Sequence, residues 1–557
     1  MRSLLDARDW SDAVLIPIPK KGDLSSCDNW RGISLLEVVG KVMAKILQER
    51  LQQLAETELP ESQCGYRTGC GCSDMTFTLR QLVEKSIEHR SKQFITFVDL
   101  QKAYDSIPRK ALWRALEKLG VPNSVVNLVK SFHDGMKAQL SINGELLEEK
   151  IDVDNGLRQG CTMAPTLFNL YACLMMERWT AQVRDLEGAG TCLLYKYDGK
   201  LFRRSTRGAR QTQMNECQFA DDTALLATNR HAAELATLAY VNVARDFGLT
   251  VNLTKTKMMV TGFGLGDADR EPIVVGESEI GCVDEFPYLG SMVSSSGRMD
   301  VEVDRRIASA SKAFGSLRHA VFTDRTLNTT TKRKVYQACV LPVLLYGCEC
   351  WTPMRRHLNR LNAFHHRCIR TIVGITSTQQ WEQNITSARM RDLWGDQETM
   401  DTKIAKRRLE WLGHVARMPD HRMPKMSLFG WLPQTRPPGG PRKRWRDVIR
   451  RDLQAICIPE EEWYKTALSR ERWSTTYQGL QNDPSQQEHA EQSQQPHQVK
   501  CLTCNRCFHR ESDKKRHKCL SERAKPIQEQ RGAVHCTVCQ RWFRSKGGLK
   551  VHKCRSV

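Results

Sequence analysis

The sequence lacks the features that would place a protein in or across a membrane. No run of about 18 apolar residues occurs in its 557 residues, and a helix needs about that many to cross a bilayer. The first residues, MRSLLDARDWSDAVLIPIPKK, have neither the uninterrupted apolar stretch nor the small-residue cleavage site of a signal peptide. We therefore expect no membrane association and an intracellular location.

Acidic residues are too few to balance the basic ones. The chain has 84 Lys and Arg against 63 Asp and Glu, so its formal net charge is +21. An excess of this size favours a polyanionic partner, usually nucleic acid, although a basic but otherwise ordinary protein would have the same total. Hydrophobic residues make up 40% and charged residues 26%, which is typical of a globular chain, and the length predicts several domains.

Cysteine is plentiful, at 21 residues, but its spacing argues against disulfides. The pattern Cys-x2-Cys-x12-His-x-Cys occurs twice near the C-terminus, with an offset of 35 residues. Because a structural zinc ion takes four N or S ligands, we predict zinc fingers at residues 501–519 and 536–554, each with one Zn²⁺. Cys507 is a spare candidate in the first finger. The predicted zinc ligands are Cys501, Cys504, His517, Cys519, Cys536, Cys539, His552 and Cys554.

Two further segments precede the fingers. Residues 478–500 are polar and rich in Gln, which predicts a disordered linker. Residues 442–446, RKRWR, combine charge with an aromatic side chain. That segment could grip nucleic acid, serve as a nuclear import signal or be a solvated loop.

Three aspartates lie at the ends of strand-like segments. Residues 94–98, FITFV, predict a strand that ends at Asp99, and a tight turn at Asp221 and Asp222 is predicted between two short strands. Nucleotidyl transfer uses two divalent cations, and Mg²⁺ prefers carboxylate oxygens brought together from such places. Aspartate is common in turns, so the pattern alone is a weak signal.

The sequence motifs that contain and surround these aspartates make the prediction specific. Seven motifs occur in order: NWRGISL at 29–35, QCGYR at 63–67, FVDLQKAYD at 97–105, GLRQG at 156–160 with APTLF at 164–168, FADD at 219–222, GLTVN at 248–252 with KTK at 255–257, and YLG at 288–290. In these words and this order the chain resembles the reverse transcriptases of non-LTR (LINE-type) retrotransposons. The resemblance runs from about residue 14 to at least 290, and more loosely to about 450.

The resemblance implies a role for individual residues. Asp99, Asp221 and Asp222 would be the catalytic carboxylates that hold two Mg²⁺ ions, with Asp221 weighted above Asp222. Tyr104 would screen out ribonucleotides, and Arg67 would contact the nucleotide phosphates. The remaining substrate-binding positions are Gln159 and Gly160, beside template and nucleotide, and Lys255, near the triphosphate.

The expected fold class is α+β: a right-hand polymerase of fingers, palm and thumb, followed by a helical basic region and two small zinc fingers. The expected boundaries are fingers 1–93, palm 94–290 within a reverse transcriptase domain of 14–290, thumb 291–390, basic helical region 391–477 and linker 478–500. We see no set of acidic residues for an endonuclease or an RNase H, so the chain could be a fragment of a larger polyprotein or a truncated copy.

The expected function is an RNA-directed DNA polymerase, a nucleotidyltransferase that copies an RNA template into DNA. Its partners would be the RNA template, a DNA primer or target DNA, and dNTPs, and its location the nucleus and cytoplasm. The alternative is a catalytically inactive, retrotransposon-derived protein that binds nucleic acid. Intact acidic residues argue against that alternative.

Overall fold

A computed structural model describes residues 13–480, apart from 21, 198, 204–206 and 438–442, and four two-residue strands after residue 498. The described part of the chain divides into two units. The larger contains residues 13–376 and 394–480, and the smaller contains residues 377–393 and the four short strands. No helix among the described residues is long and apolar enough to span a bilayer.

The strands of the larger unit lie mostly in its first 294 residues. They are β1 (Ala13–Pro19), β2 (Trp30–Leu35), β3 (Gln93–Val98), β4 (Lys137–Ile142), β5 (Glu145–Asp152), β6 (Thr191–Tyr195), β7 (Arg210–Met214), β8 (Glu216–Phe219), β9 (Asp222–Ala227), β10 (Lys257–Thr261), β11 (Ile273–Val275), β12 (Ser278–Ile280), β13 (Glu285–Tyr288) and β14 (Ser291–Ser294).

Helices fill the first half between strands and dominate after residue 300. They are α1 (Val38–Glu58), α2 (Cys72–His89), α3 (Ala103–Ser106), α4 (Arg109–Lys118), α5 (Asn123–Ser131), α6 (Ala164–Val183), α7 (Arg230–Asp246), α8 (Asp300–Leu317), α9 (Thr329–Cys339), α10 (Leu341–Leu344), α11 (Arg355–Val373), α12 (Ser377–Glu382), α13 (Ser387–Trp394), α14 (Met400–Arg417), α15 (Met423–Phe429), α16 (Trp445–Ala455), α17 (Trp463–Leu468) and α18 (Arg470–Gln478).

A four-stranded antiparallel sheet forms the centre of the larger unit, in the order β10-β3-β9-β8. All six residues of β3 are buried, because helices cover both faces of the sheet. Ile95 and Phe97 pack in one cluster with Leu79 of α2, whereas Phe94 packs in another with Ala232 of α7. This alternation is the period of a strand, and it explains why the segment is apolar throughout.

Two helices begin at the prolines that the sequence pattern uses as start signals. Pro108 precedes α4, and Pro165 occupies the first turn of α6. Backbone N–H groups in the first turn have no partner within the helix, so a proline there costs no hydrogen bond. Most of α6 is buried, and the Trp179 indole donates a hydrogen bond to the Ala236 carbonyl of α7 (2.9 Å). The strand predicted at residues 94–98 is thus present as β3, and helices that begin near these prolines follow it.

A second sheet, in the order β2-β1-β4-β5, lies beside the central one. Strand β1 is antiparallel to β2 and parallel to β4. The segment 156–160 ties this sheet to the rest of the unit, since the Gln159 carbonyl accepts a hydrogen bond from the Ser34 N–H of β2 (2.7 Å). Gly160 has a φ of +116°, and a Cβ there would lie 2.6 Å from the Ser34 carbonyl oxygen. Only glycine allows so close a junction.

The C-terminal helices α14 to α18 build a second core against α2. Phe77 of α2 is fully buried between the rings of Trp411 and Trp445, with centroids 5.5 and 4.9 Å away. The Trp445 indole donates to the Glu349 carbonyl (2.8 Å), and its backbone N–H donates to Glu84 of α2 (2.7 Å). Residues 394–480 are therefore part of the same compact unit as the sheets.

The described residues of the basic segment 442–446 pack against other parts of this unit. Arg444 donates to Glu88 of α2 (2.7 Å), and the guanidinium carbon of Arg446 lies 4.1 Å from the centre of the Trp431 ring. Arg446 is only 3% exposed. A solvated loop is therefore ruled out for residues 443–446, and a role in gripping nucleic acid would require these contacts to break. Arg442 lies outside the described residues.

Replacing Trp445 with alanine should reduce the free energy of unfolding by about 3–5 kcal/mol, the usual cost of emptying a buried aromatic site. Leu468→Ala, at a side chain that is 50% exposed in nearby α17, should change it by less than about 0.5 kcal/mol. Chemical denaturation of both variants checks this. A Trp445 variant as stable as the Leu468 variant would show that residues 443–446 do not hold the C-terminal helices in place.

Candidate active site

A cavity of about 800 Å³ is lined by residues 30–33 of β2 and by residues that follow or connect strands of the central sheet. Asp99 and Asp221 line it, together with residues 101–106 and 158–161. The other charged or aromatic side chains in its wall are Lys20, Trp30, Arg31, Tyr66, Lys102, Tyr104, Asp105, Arg158 and Lys255. The cavity thus gathers the carboxylates with basic groups and aromatic rings.

Asp99 directly follows β3, and its backbone is held by the segment that carries Lys255. The Asp99 N–H donates to the Thr256 hydroxyl (3.2 Å), and the Asp99 carbonyl accepts from the Asn252 N–H (2.7 Å). Lys255 Nζ lies 3.8 Å from Asp99 Oδ2, and the lysine side chain is 70% exposed. An ion pair this exposed contributes little stability, so the Lys255 ammonium group can turn to a negatively charged ligand.

Asp221 lies at the tip of the β8–β9 hairpin. Phe219 pairs with Asp222, which leaves Ala220 and Asp221 as the two turn residues. Ala220 has a φ of +56°, in the left-handed region that is unfavourable for a residue with a Cβ. Such strain persists only where surrounding contacts enforce it, and it is concentrated at functional sites.

The strand register brings the aspartates together. Val98 pairs with Thr223, so one further step in the same antiparallel register sets Asp99 opposite Asp222. Asp221 lines the cavity, whereas Asp222 does not. Within the described residues, no three His, Cys, Asp or Glu side chains converge as a metal site. The cavity therefore offers two of the three predicted carboxylates.

Electrostatics at this turn oppose negative charge. Burial raises the pKa of Asp221, and the neighbouring charge of Asp99 raises it further. Desolvation by the surrounding protein, followed by the charges of Asp221 and Asp99, raises the pKa of Asp222 to about 6. Carboxylates in this situation are stabilised in their ionised form by a cation placed between them.

Gln63 clamps the strained turn. Its side-chain oxygen accepts from the Ala220 N–H (2.7 Å), and its side-chain nitrogen donates to the Ala220 carbonyl (3.1 Å). Gly65 lies against the same residue: a Cβ on Gly65 would come within 2.3 Å of the Ala220 nitrogen. The segment around residues 63–65 thus fixes the conformation from which Asp221 enters the cavity.

Two predicted substrate-binding side chains line the cavity, and each is held by a contact with a neighbouring side chain. The ring of Tyr104 stacks on Phe168 at 4.7 Å and an angle of 21°, and burial raises its pKa. The Gln159 side-chain amide donates to both carboxylate oxygens of Asp105, at 3.0 Å each. Gly160 also lines the cavity. The structure therefore brings Tyr104, Gln159, Gly160 and Lys255 together with Asp99 and Asp221.

Arg67 is placed differently. Its guanidinium donates to the carbonyls of Pro60 (2.9 Å) and Gln63 (3.1 Å) and pairs with Glu56 (3.2 Å), and its side chain is 9% exposed. These contacts brace the loop that it belongs to. The predicted contact between Arg67 and the nucleotide phosphates stays a prediction, and in this arrangement it would require the side chain to leave its partners.

Arg31 is a candidate that sequence reasoning missed. It lines the cavity from β2, and its positive charge lowers the pKa of Asp221, against the larger effect of burial. The signal was present, because Arg31 lies inside the NWRGISL motif at 29–35. What the sequence did not reveal was which arginine of the two upstream motifs faces the carboxylates.

The eight predicted zinc ligands lie outside the described residues. Short antiparallel strands are described beside them: Val499–Lys500 pairs with Cys507–Phe508, and Val534–His535 pairs with Trp542–Phe543. The two pairs repeat at the same 35-residue offset as the Cys/His pattern and enclose one Cys-x2-Cys sequence each.

Gly65→Ala should lower the free energy of unfolding by about 1–3 kcal/mol, because the added Cβ would clash with the Ala220 backbone, which cannot easily move. Gly315→Ala, in exposed α8 with open space around it, should instead raise it by about 1 kcal/mol through helix propensity. Denaturant titration measures both. The same sign for the two substitutions would contradict the packing described at the turn.

Comparison with known proteins agrees with this site. Residues 18–293 match the family model for reverse transcriptase (RNA-dependent DNA polymerase). A transposon-derived protein of Caenorhabditis elegans is 28% identical, over 47% of this chain and 94% of that protein. The RNA-directed DNA polymerase from the mobile element jockey of Drosophila funebris is 22% identical, over 66% of this chain and 38% of that protein.

Similar values hold for a Pol polyprotein from the retrotransposable element R2 of Popillia japonica, at 24% identity over 44% of this chain and 32% of that protein. The chain thus spans about a third of the length of its jockey and R2 relatives. Among solved structures, apo telomerase from Candida tropicalis has a TM-score of 0.36 at 12% identity, over 76% of this chain and 70% of that one.

The family model and these relatives confirm the prediction drawn from the motifs. The cavity lies within the matched residues, and its three aspartates, Asp99, Asp105 and Asp221, belong to two of the motifs. Residues 18–293 thus match the reverse transcriptase (RNA-dependent DNA polymerase) family model, and the chain is similar to an RNA-directed DNA polymerase from the mobile element jockey and to a Pol polyprotein from the retrotransposable element R2.

Proposed function

We propose that this chain copies an RNA template into DNA by adding dNTPs to a primer 3′ hydroxyl in the cavity that Asp99 and Asp221 line. The observation that supports it most is the meeting of these two carboxylates from separate strands, on one wall of a cavity large enough for a nucleotide. Basic side chains line the same cavity, as a triphosphate requires.

The donor set of this wall fits Mg²⁺. Asp99 and Asp221 supply hard oxygen ligands, and a cation between them would offset the burial and the neighbouring negative charge that raise the pKa of Asp221. Asp222, the next residue in the chain, would assist Asp221 in binding the cation. Two Mg²⁺ ions, when bound, activate the attacking hydroxyl and neutralise charge on the leaving pyrophosphate. The protein itself contributes positioning and a fixed electrostatic field rather than covalent chemistry.

Other side chains in the cavity wall would bind the nucleotide phosphates, select the sugar and contact the template. Lys255 and Arg31 lie near the carboxylates and are suited to the phosphate oxygens of an incoming nucleotide. The stacked ring of Tyr104 forms a rigid surface that would exclude a ribose 2′ hydroxyl. Gln159, held by Asp105, presents its amide beside the nucleotide and template. Arg67 would join them only by leaving its present partners.

We infer the right-hand arrangement from the same domain. Strands β1 and β2 with α1 and α2 would form the fingers (1–93). The central sheet would belong to the palm (94–290), and the helices that follow would form the thumb (291–390) and the basic region (391–477). The RNA template, a DNA primer or target DNA, and dNTPs would be the partners. Such a protein would work in the nucleus and cytoplasm.

The alternative is an inactive, retrotransposon-derived protein that only binds nucleic acid. Against it, the strained Ala220 turn, its Gln63 clamp and the carboxylates behind it are all intact. In a protein selected only for binding, nothing would maintain two carboxylates with unfavourable charge in a basic cavity.

Asp221→Asn should reduce primer extension on an RNA template by about 100-fold or more, because it removes the charge on which cation binding depends while keeping the shape. The matched control is Asp185→Asn, at an exposed aspartate after α6, which should retain the activity of the unaltered chain. Incorporation of a labelled dNTP with Mg²⁺ or Mn²⁺ gives the rates.

If the unaltered chain incorporates no dNTP with either cation, the polymerase proposal fails. Salt-sensitive RNA binding that is equal in the Asp221 variant and the unaltered, inactive chain would then support the binding alternative. Equal incorporation by the Asp221 variant and the unaltered chain would instead show that another carboxylate set performs the reaction.

We also propose that the C-terminal Cys/His repeats are zinc fingers that bind nucleic acid. The repeated short hairpins at Val499–Phe508 and Val534–Phe543 support this, since a Cys-x2-Cys turn between such strands is where a zinc knuckle would form. Domains of this size depend on the metal for folding.

The full chain should contain about two zinc ions, and the double substitution Cys536→Ser with Cys539→Ser should remove about one of them. Cys339→Ser, at an exposed cysteine of α9, should leave the zinc content unchanged. Metal analysis of the purified variants measures this, and a chain without zinc would overturn the proposal.

A further inference from the structure

Arg422 joins the C-terminal helices to the loop that supports the active-site turn. It precedes α15, and its side chain is only 12% exposed. Its guanidinium pairs with Glu61, donates to Asp74 (2.8 Å) and approaches the Gly69 carbonyl (3.4 Å). A planar guanidinium is the side chain that can serve several oxygen acceptors in fixed directions at once.

These acceptors lie at both ends of the loop between α1 and α2. Glu61 is near its beginning, and Asp74 lies in the first turn of α2, where it also accepts from the Gly71 N–H (2.8 Å). Burial raises the pKa of both carboxyls, and the Arg422 charge counteracts this. One side chain from far along the chain thus fixes the two ends of the loop relative to each other.

The loop transmits this constraint to the reaction site. Gln63 holds the Ala220 backbone, Gly65 packs against it, and Tyr66 lines the cavity. The Cys64 N–H donates to the Gln218 carbonyl of β8 (3.0 Å), which continues the attachment. A shift of this loop would therefore displace the turn that carries Asp221.

We propose that Arg422 is a positioning residue for the polymerase site: it holds residues 61–74 in the conformation that sets the Ala220 turn and thereby Asp221. The inference rests on the proposed function. It assigns to the C-terminal helical segment a part in nucleotide addition although the segment does not line the cavity.

The test compares Arg422→Gln and Arg422→Lys with Arg450→Gln. Arg450 is in the same C-terminal segment and pairs with Glu460, within that segment. Single-turnover extension of a primer on RNA separates the rate constant of active molecules from their fraction. We expect the rate constant of Arg422→Gln to fall about 10- to 100-fold, as for a small misplacement of reacting groups. Arg450→Gln should match the unaltered chain.

The lysine variant should be intermediate, because an ammonium group can reach one carboxylate but lacks the fork that serves both. A purely structural role would lower the active fraction and leave the rate constant of the remainder unchanged, and that result would overturn the proposal. An equal fall in the rate constant of Arg450→Gln would overturn it as well.

Hydrogen exchange gives a readout that does not depend on activity. In Arg422→Gln, exchange should accelerate in residues 61–74 and 216–222 and stay unchanged in α7. If the unaltered chain extends no primer, the proposed function fails, while this exchange pattern would still support the mechanical link. Unchanged exchange in residues 216–222 would overturn the link itself.

Discussion

The active site depends on holding like-charged carboxylates together at the end of a sheet. Left to itself, this repulsion would separate Asp99 from the Asp221 turn, and burial together with the neighbouring charge of Asp99 raises the pKa of Asp221. The backbone prevents separation, because Asp99 follows a strand paired on both sides and Asp221 lies in a turn that Gln63 clamps. The stability of the surrounding unit therefore preserves an arrangement that is locally unfavourable.

Much of this site could be predicted from the sequence because its determinants are local. The FITFV run, the prolines at the starts of α4 and α6, and the FADD turn each specify an element within a few residues. The register that sets Asp99 opposite Asp222 is not local, since nothing in either segment alone says which residues pair. The order of the motifs indicated that these segments belong to one site, which hydrophobic periodicity alone could not indicate.

Long-range charge pairing is what sequence reasoning could not determine. Arg67 and Arg31 lie in motifs of equal quality, and only the folded chain shows that the first braces a loop while the second faces the cavity. The segment RKRWR has the composition of an exposed basic patch, yet Arg444 finds Glu88 in a helix 356 positions earlier. Burial of a charge depends on its partner, and composition does not reveal the partner.

The Arg422–Asp74 contact also has a consequence for how the protein is made. The two residues are 348 positions apart, so the loop beside the site gains its anchor only after most of the chain has left the ribosome. Every recognisable motif, up to residue 290, is translated earlier. A product that terminates between residues 290 and 422 would carry all the motifs of a polymerase without the contact that orders them. Synthesis of the segment around residue 422 would thus be a late step in assembling the site.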